Sequence, residues 1–402
     1  MMALKYIYKN FWSFMALLSC VAFVGCVHLL EIDDEDSQSA VVEIGDFEMQ
    51  SSEVITRANT GYHAFNAGTD LPADPILVGF TQKLPAGSTE IMWSTATYDS
   101  ESSKWKSNIR VKKYYEDTEV KHNVFAILTG RDVYNKISTS LTDASEPVLT
   151  ISSVPAICAS NIMVSSGASL QAAGGNTLAK GSYSAHLARD SEDGTSQNHL
   201  MNFIMDNIMC GLNVKFNIGT TYNDLRDIIL KSVTISSSDE NTGKYEVVVK
   251  FTNTDTGAQV TGMTAQGSSK IEYTVSKDTD DYIITDSKPS VLGGKGYKGM
   301  ILTTAAQPFM SCYMVPELAN SKTKLQNLTM TVTYDVFDKT GFRTRKDQTA
   351  TNKLGNVLLD GENSLVKANN MINLTVTVAP TYLYQLSDAD LDNPGITITK
   401  NN

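Results

Sequence analysis

The sequence predicts an all-β protein, built as two antiparallel β-sandwich domains in tandem with few short helices. Apolar and polar residues alternate along many short segments, which is the period-2 pattern of half-buried strands. Gly, Asn, Asp and Ser separate these segments as turn residues do, and β-branched and aromatic residues dominate within them. The 402 residues are too many for one ordinary sandwich and suit two domains.

Six segments show the alternation most clearly. They are Ile76/Val78/Phe80, Leu212/Val214/Phe216/Ile218, Tyr245/Val247/Val249/Phe251, Ile271/Tyr273/Val275, Leu328/Met330/Val332/Tyr334/Val336 and Ile372/Leu374/Val376/Val378. Each segment has a length typical of a strand that buries one face. We therefore predict a strand at each of these six places.

Two other segments have patterns that could be helical. Residues 224–229 place Leu225, Ile228 and Ile229 on one helical stripe, directly after Asn or Asp residues that could cap it. This pattern predicts one short helix. Residues 200–210 fit both a helical and a strand period, and we predict a strand there.

A Gly- and Ser-rich stretch suggests where the two domains divide. Residues 165–196 have the composition of long loops, and a second series of predicted strands follows them. We expect a domain boundary near residue 210. The N-terminal sandwich would then cover residues 58–210, and the C-terminal sandwich residues 211–402.

The first residues have the features of a secretion signal. Two lysines precede an apolar run over residues 11–24, which is too short to span a bilayer comfortably. The run ends in Phe-Val-Gly before Cys26, which resembles the lipobox of bacterial lipoproteins, where the cysteine is acylated and becomes the mature N-terminus. Residues 1–25 would be the signal peptide. Cys20 offers a rival box, and a plain cleaved signal or an uncleaved anchor are the alternatives.

Residues 26–57 are predicted to form an acidic tether followed by a strand-like segment. The cluster Glu31–Asp36 resembles the surface-export signal of Bacteroidetes lipoproteins, and it could equally be a solvated spacer. Residues 42–49 alternate in part. Arg57 is the first arginine of the chain, so a trypsin-like protease would have one place to cut there, before Ala58. An ordinary surface arginine is the other interpretation.

Composition and motifs argue against several functions. The net charge of −11 is unsuited to a nucleic-acid partner, since phosphate binding needs clustered cations. The Gly- and Lys-rich residues 293–299 lack the spacing and the following helix of a phosphate-binding loop. No catalytic motif, metal-ligand spacing or cofactor motif is recognisable, so we expect neither an enzyme nor a cofactor.

Cysteine and aspartate patterns have ordinary explanations. After the leader, Cys158, Cys210 and Cys312 remain, an odd number without CxxC spacing, which favours buried small hydrophobes over a disulfide framework. Residues 388–393 carry alternating carboxylates that suggest calcium, but the positions expected to hold Gly and Glu in an EF-hand do not match. A solvated acidic segment is the expectation there.

The chain continues beyond its last clearly alternating segment. Tyr382, Tyr384 and Leu386 form one further strand-like stretch, and Ile396 and Ile398 form another, both bounded by proline. Neither stretch has an obvious partner within its own fold. Unpaired strand-forming segments are a hazard, so a protein that keeps them could use them for strand addition to another subunit.

These residues resemble a known family. Residues 380–394, preceded by 367–376, resemble the carboxyl end of fimbrillins, the lipoprotein pilins of Bacteroidales type V pili. Cys26, the Thr-Arg-Ala site at Arg57 and the Met-rich residues 201–209 lie where that family has counterparts. The likeness spans nearly the whole chain and is most specific at its two ends.

The resemblance implies a fold and a mechanism. Family members fold as two transthyretin-like β-sandwich domains and reach the outer membrane as lipoproteins. An arginine-specific protease then removes the first strand, and a strand from the next pilin subunit fills the groove. Here Arg57–Ala58 would be the cleavage site, residues 42–49 the expelled strand, and residues 380–402 the donor-strand tail. The protein would be part of a cell-surface fimbrium and contribute to adhesion.

A second hypothesis is a surface lipoprotein that binds glycans for nutrient uptake. It would share the leader, the tether and the β-domains, but it would keep its lipid and its N-terminal strand. Such a protein would also present aromatic platforms. Trp93 and Trp105 are the only tryptophans after the leader, which makes these platforms sparse.

Overall fold

The computed structural model covers the chain from the N-terminal strands to its last residues, with gaps. The described residues are 40–41, 43–50, 62–64, 76–83, 89–99, 101, 104–106, 110–111, 122–129, 148–170, 184–185, 200–251, 259–277, 298–320, 322–361, 363–380 and 391–401. All structural statements below concern these residues.

Thirteen strands precede residue 208 in the described ranges. They are β1 (Ala40–Val41), β2 (Glu43–Gln50), β3 (Tyr62–Ala64), β4 (Ile76–Lys83), β5 (Thr89–Asp99), β6 (Lys104–Lys106), β7 (Arg110–Val111), β8 (His122–Thr129), β9 (Val148–Pro155), β10 (Ile157–Cys158), β11 (Ile162–Leu170), β12 (Ser184–Ala185) and β13 (Leu200–Asn207). The strand predicted around residue 76 is confirmed as β4, and the ambiguous segment from residue 200 is a strand, as predicted.

Thirteen more strands follow in the described part of the chain. They are β14 (Cys210–Ile218), β15 (Arg226–Ser237), β16 (Lys244–Lys250), β17 (Gln259–Ala265), β18 (Glu272–Ser276), β19 (Met300–Ile301), β20 (Gln307–Met314), β21 (Leu328–Asp338), β22 (Arg343–Lys353), β23 (Leu359–Asp360), β24 (Asn363–Ser364), β25 (Met371–Ala379) and β26 (Gly395–Asn401). Helical structure in the described residues is limited to α1 (Thr220–Asn223), α2 (Lys322–Gln326) and two 3₁₀ turns, Pro316–Asn320 and Leu354–Val357. The predicted all-β class is confirmed.

The strands before residue 208 belong mainly to one nine-stranded sheet. Its order is β11-β13-β2-β6-β5-β4-β8-β12, and β3 pairs with β2. Because β11 also pairs with β8, the pairing returns on itself and forms a closed circuit. Closure of this kind reduces the number of exposed strand edges.

The later strands form two larger sheets whose buried faces meet in one hydrophobic core. One sheet has the order β10-β20-β14-β25-β26, and the other has the order β18-β15-β21-β22, with β19 also paired to β15. Apolar side chains from both sheets, including Phe216, Val332, Tyr334 and Val376, belong to the same buried cluster. This is the packing expected of a β-sandwich.

Residues 148–158 pair with strands that come much later in the chain. β9 pairs with β16 in a three-stranded sheet with β17, and β10 pairs with β20. Strands before residue 208 therefore pair mostly with one another, and so do the strands from β14 onward. β9 and β10 are exceptions, because they come before residue 208 but pair with later strands. The two-domain division at residue 210 remains a prediction.

The prediction of a helix over residues 224–229 is wrong. The single turn α1 ends before this segment, and β15 begins at Arg226. Ile228 belongs to the main core, whereas Ile229 packs on the other face with Ile301 and Phe337. Because both faces of β15 are buried there, its apolar residues are consecutive, and such a run imitates a short helical stripe.

The alternation of β14 supplies a direct test of the core. Phe216 is fully buried, and its ring meets that of Phe309 edge-on, with 5.4 Å between the ring centroids. Phe216→Ala should lower the free energy of unfolding by about 3–5 kcal/mol, because the cavity adds to the lost burial. Lys215→Ala, on the exposed face of the same strand, should change it by about 0.5 kcal/mol or less. Urea titration of both variants would measure this difference, and equal effects would contradict the assigned faces.

Candidate functional site

The N-terminal strand β2 lies inside its sheet. It pairs in parallel with β13, with Glu43 opposite Leu200 and Met49 opposite Met205. On its other side it pairs antiparallel with β3 and, at Ile44, with β6. β13 pairs with β2 on one side and with β11 on the other, so the loss of β2 would leave β13 paired with β11 only. A row of backbone N–H and C=O groups on β13 would then be open to another strand.

The C-terminal strand β26 pairs with β25 of its own subunit. Seven residue pairs run antiparallel from Asn373 opposite Asn401 to Ala379 opposite Gly395. The expectation that neither tail stretch has a partner in its own fold is therefore wrong for Ile396 and Ile398. Buried and exposed side chains alternate along β26, as they do in a strand with one face on the core. Both isoleucines are buried in the main core, while Thr397 between them is exposed.

β25 is the central element of this region. Its other edge pairs in parallel with β14 over eight residues, from Met371 opposite Gly211 to Val378 opposite Ile218. Ile372, Leu374, Val376 and Val378 all point into the core. β26 therefore covers the edge of an apolar strand that would otherwise be exposed to water and to other chains.

The acidic segment before β26 is partly buried. Asp392 is 8% exposed, and its Oδ1 accepts hydrogen bonds from Arg226 Nε and from Thr344 Oγ1, each at 2.9 Å. The expectation of a wholly solvated acidic segment is wrong at this position. The carboxylate lies between two strands of the facing sheet, and a cation and a hydroxyl compensate for its loss of water.

The three later cysteines are free and buried, as predicted. Burial raises the pKa of the Cys210 thiol to about 11, although a backbone hydrogen bond from Lys367 lowers it in part. Burial also raises the pKa of Cys312, with further contributions from Cys158 and Cys210. Cys210 and Cys312 are therefore neutral thiols at physiological pH. All three cysteines pack as small hydrophobic side chains.

Several predicted site residues lie outside the described residues. They are Cys26, Arg57, Ala58, Tyr382, Tyr384 and Leu386. Within the described ranges, no three His, Cys, Asp or Glu side chains converge as they would on a metal ion. No helix of the described part is long and apolar enough to cross a membrane.

No protein-family model and no curated protein sequence matches the chain. A solved fimbrial protein from Bacteroides vulgatus is similar, with 14% identity and a TM-score of 0.46 over 89% of this chain and 98% of its own. A candidate cell adhesion protein from Bacteroides uniformis matches with 13% identity and a TM-score of 0.36, over 89% and 95% of the two chains. The fimbrial anchor protein Mfa2 from Porphyromonas gingivalis matches with 10% identity and a TM-score of 0.30, over 89% of this chain and 96% of its own.

Each of these TM-scores lies below 0.5, and each identity is 14% or less.

The buried thiols give a chemical test of the site's packing. At pH 8 about one Cys210 side chain in a thousand is a thiolate, given a pKa of about 11. Because all three thiols are also buried away from the reagent, iodoacetamide should leave Cys158, Cys210 and Cys312 unmodified in the folded protein over an hour. All three should be alkylated within minutes in 8 M urea, as peptide mass spectrometry would show. Rapid alkylation of any one in the folded protein would contradict its placement.

Proposed function

We propose that the chain is a structural subunit of a cell-surface fimbrium, which polymerises head to tail by strand exchange and contributes to adhesion. The observation that carries this proposal is the position of β2. β2 lies between β13 on one side and β3 and β6 on the other, although it precedes all three in the chain. A strand held in this way can be replaced by a strand of the same kind from another copy.

In this proposal the subunit reaches the surface as an outer-membrane lipoprotein precursor. Cys26 would carry the lipid, and an arginine-specific protease would cut between Arg57 and Ala58. The cut would release residues 26–57, which include β1 and β2. The opened edge of β13 would then accept a strand from the tail of the next subunit, within residues 380–402.

Head-to-tail repetition follows from the asymmetry of this contact. The accepting edge is near the N-terminal sheet, and the donated segment is the C-terminus, so each subunit offers one of each. A heterologous contact of this type does not close on itself and gives a filament. The partners are therefore other pilin subunits, identical or related.

Processing at Arg57 is the step that tests the proposal. Arg57→Ala and Arg57→Lys should both keep residues 26–57 and remain monomeric, because an arginine-specific protease accepts neither side chain. Thr56→Ala is the matched control and should be processed like the natural protein. N-terminal sequencing of surface material and electron microscopy of the cells would provide the two measurements.

The expected N-terminus of the natural protein and of Thr56→Ala is Ala58, with fibres on the cells. Fibres built from Arg57→Ala subunits that retain residues 26–57 would overturn the proposal. A surface protein that keeps its acylated Cys26 in every variant would instead support a permanently anchored glycan binder or an anchor-type pilin.

A further inference from the structure

The segment that leads into β26 is held by side chains of the facing sheet and of α1. Tyr222 in α1 donates its hydroxyl hydrogen to the carbonyl oxygen of Leu391 at 2.5 Å. Tyr334 in β21 donates to the carbonyl oxygen of Pro394, also at 2.5 Å. Both tyrosine side chains are fully buried, so these hydrogen bonds are shielded from water.

Three further contacts reach the same segment. Arg226 at the start of β15 and Thr344 in β22 both hold the carboxylate of Asp392. Asn352, further along β22, donates to the carbonyl oxygen of Ile396 at 2.8 Å. β26 itself belongs to the sheet of β14 and β25, so these contacts join it to the opposite sheet of the core.

The hydroxyl groups of Tyr222 and Tyr334 keep their protons at physiological pH. Burial raises the pKa of Tyr334 to about 12, and burial together with Tyr334 and Asp392 raises the pKa of Tyr222. Both hydroxyls are therefore protonated and can donate. The Arg226 and Asp392 side chains are only 12% and 11% exposed, and a charge-assisted hydrogen bond at this burial is stronger than one at the surface.

We infer that these five contacts form a latch that retains β26 in its own subunit, and that the tail becomes available to a second copy of the chain only when the latch opens. The latch consists of Tyr222, Arg226, Tyr334, Thr344 and Asn352 acting on residues 391–396. This inference rests on the proposed function, because it concerns the strand that the polymer would use.

The topology allows β26 to leave without unfolding the rest of the subunit. It is an edge strand whose ladder pairing is with β25, so its departure leaves the other strand pairs of the sheet in place. Eleven residues, 380–390, connect it to β25 and its latch, and a chain of that length can reach about 35 Å. Exchange of a terminal element between identical subunits is a known low-cost route to assembly.

Hydrogen exchange tests the latch itself, in the purified protein. Asp392→Ala should raise the amide exchange rates of residues 395–401 at least tenfold, while the amides of β14 keep their protection. Tyr334→Phe, which removes one hydroxyl, is a milder second variant and should act in the same direction. Glu240→Gln is the matched control, because it removes an exposed ion pair with Lys270. Rates in β26 equal to those of this control, or equal acceleration in β14, would overturn the latch.

A reversible cross-link tests whether β26 has to leave. Thr377 and Thr397 are directly opposite each other in β25 and β26, so Thr377→Cys with Thr397→Cys can tie the strand to its own subunit. Thr234→Cys with Thr274→Cys is the control, since that pair joins β15 and β18 instead. Each protein is treated with an arginine-specific protease, and fibre growth is followed in the oxidised and the reduced state.

The latch requires that the oxidised 377/397 protein forms no fibres and that reduction restores growth, while the 234/274 control grows in both states. Fibres from the oxidised 377/397 protein would overturn the inference and leave the proposed function intact, with the donated strand elsewhere in the tail. Absence of fibres from the processed natural protein would instead overturn the proposed function, and the latch would then be decided by hydrogen exchange alone.

Discussion

The backbone hydrogen bonds along β25 are the constraint on which the C-terminal half depends. This strand presents four apolar side chains to the core and is paired on both edges, by β14 and by β26. An apolar strand with one open edge is a template for association with other chains. In the single subunit β26 covers that edge. The same reasoning applies to β13, whose edge is covered by β2.

The two terminal strands thus have equivalent roles at opposite ends of the chain. β2 covers the edge of β13, which is distant in sequence, whereas β26 covers the edge of β25, the strand that precedes it. They differ in how they are held. β26 is fixed by buried tyrosines and by the Arg226–Asp392 ion pair, whereas β2 precedes the arginine at which we propose cleavage. In the proposed assembly, non-covalent contacts control one terminus and proteolysis controls the other.

Several of the strands could be predicted because their alternation is a local property. Leu212 to Ile218 and Ile372 to Val378 show it without interruption, and both segments are strands with those residues buried. β22 shows no such alternation, because it is a polar edge strand that begins Arg-Thr-Arg-Lys-Asp-Gln. It is recognisable only through its pairing with β21. The pairing of β26 and the burial of Asp392 depend on contacts with residues sixteen or more positions away, which periodicity does not report.

The central claim is that removal of the N-terminal strand opens an edge which a second subunit then fills. Hydrogen exchange of the β13 amides, residues 200–207, measures this most directly in three samples: the precursor, the processed monomer and the fibre. The β13 amides that bond to β2 should be protected in the precursor, lose protection in the processed monomer, and regain it in the fibre, while those that bond to β11 stay protected. Protection of the amides toward β2 that is unchanged by processing would contradict the central claim.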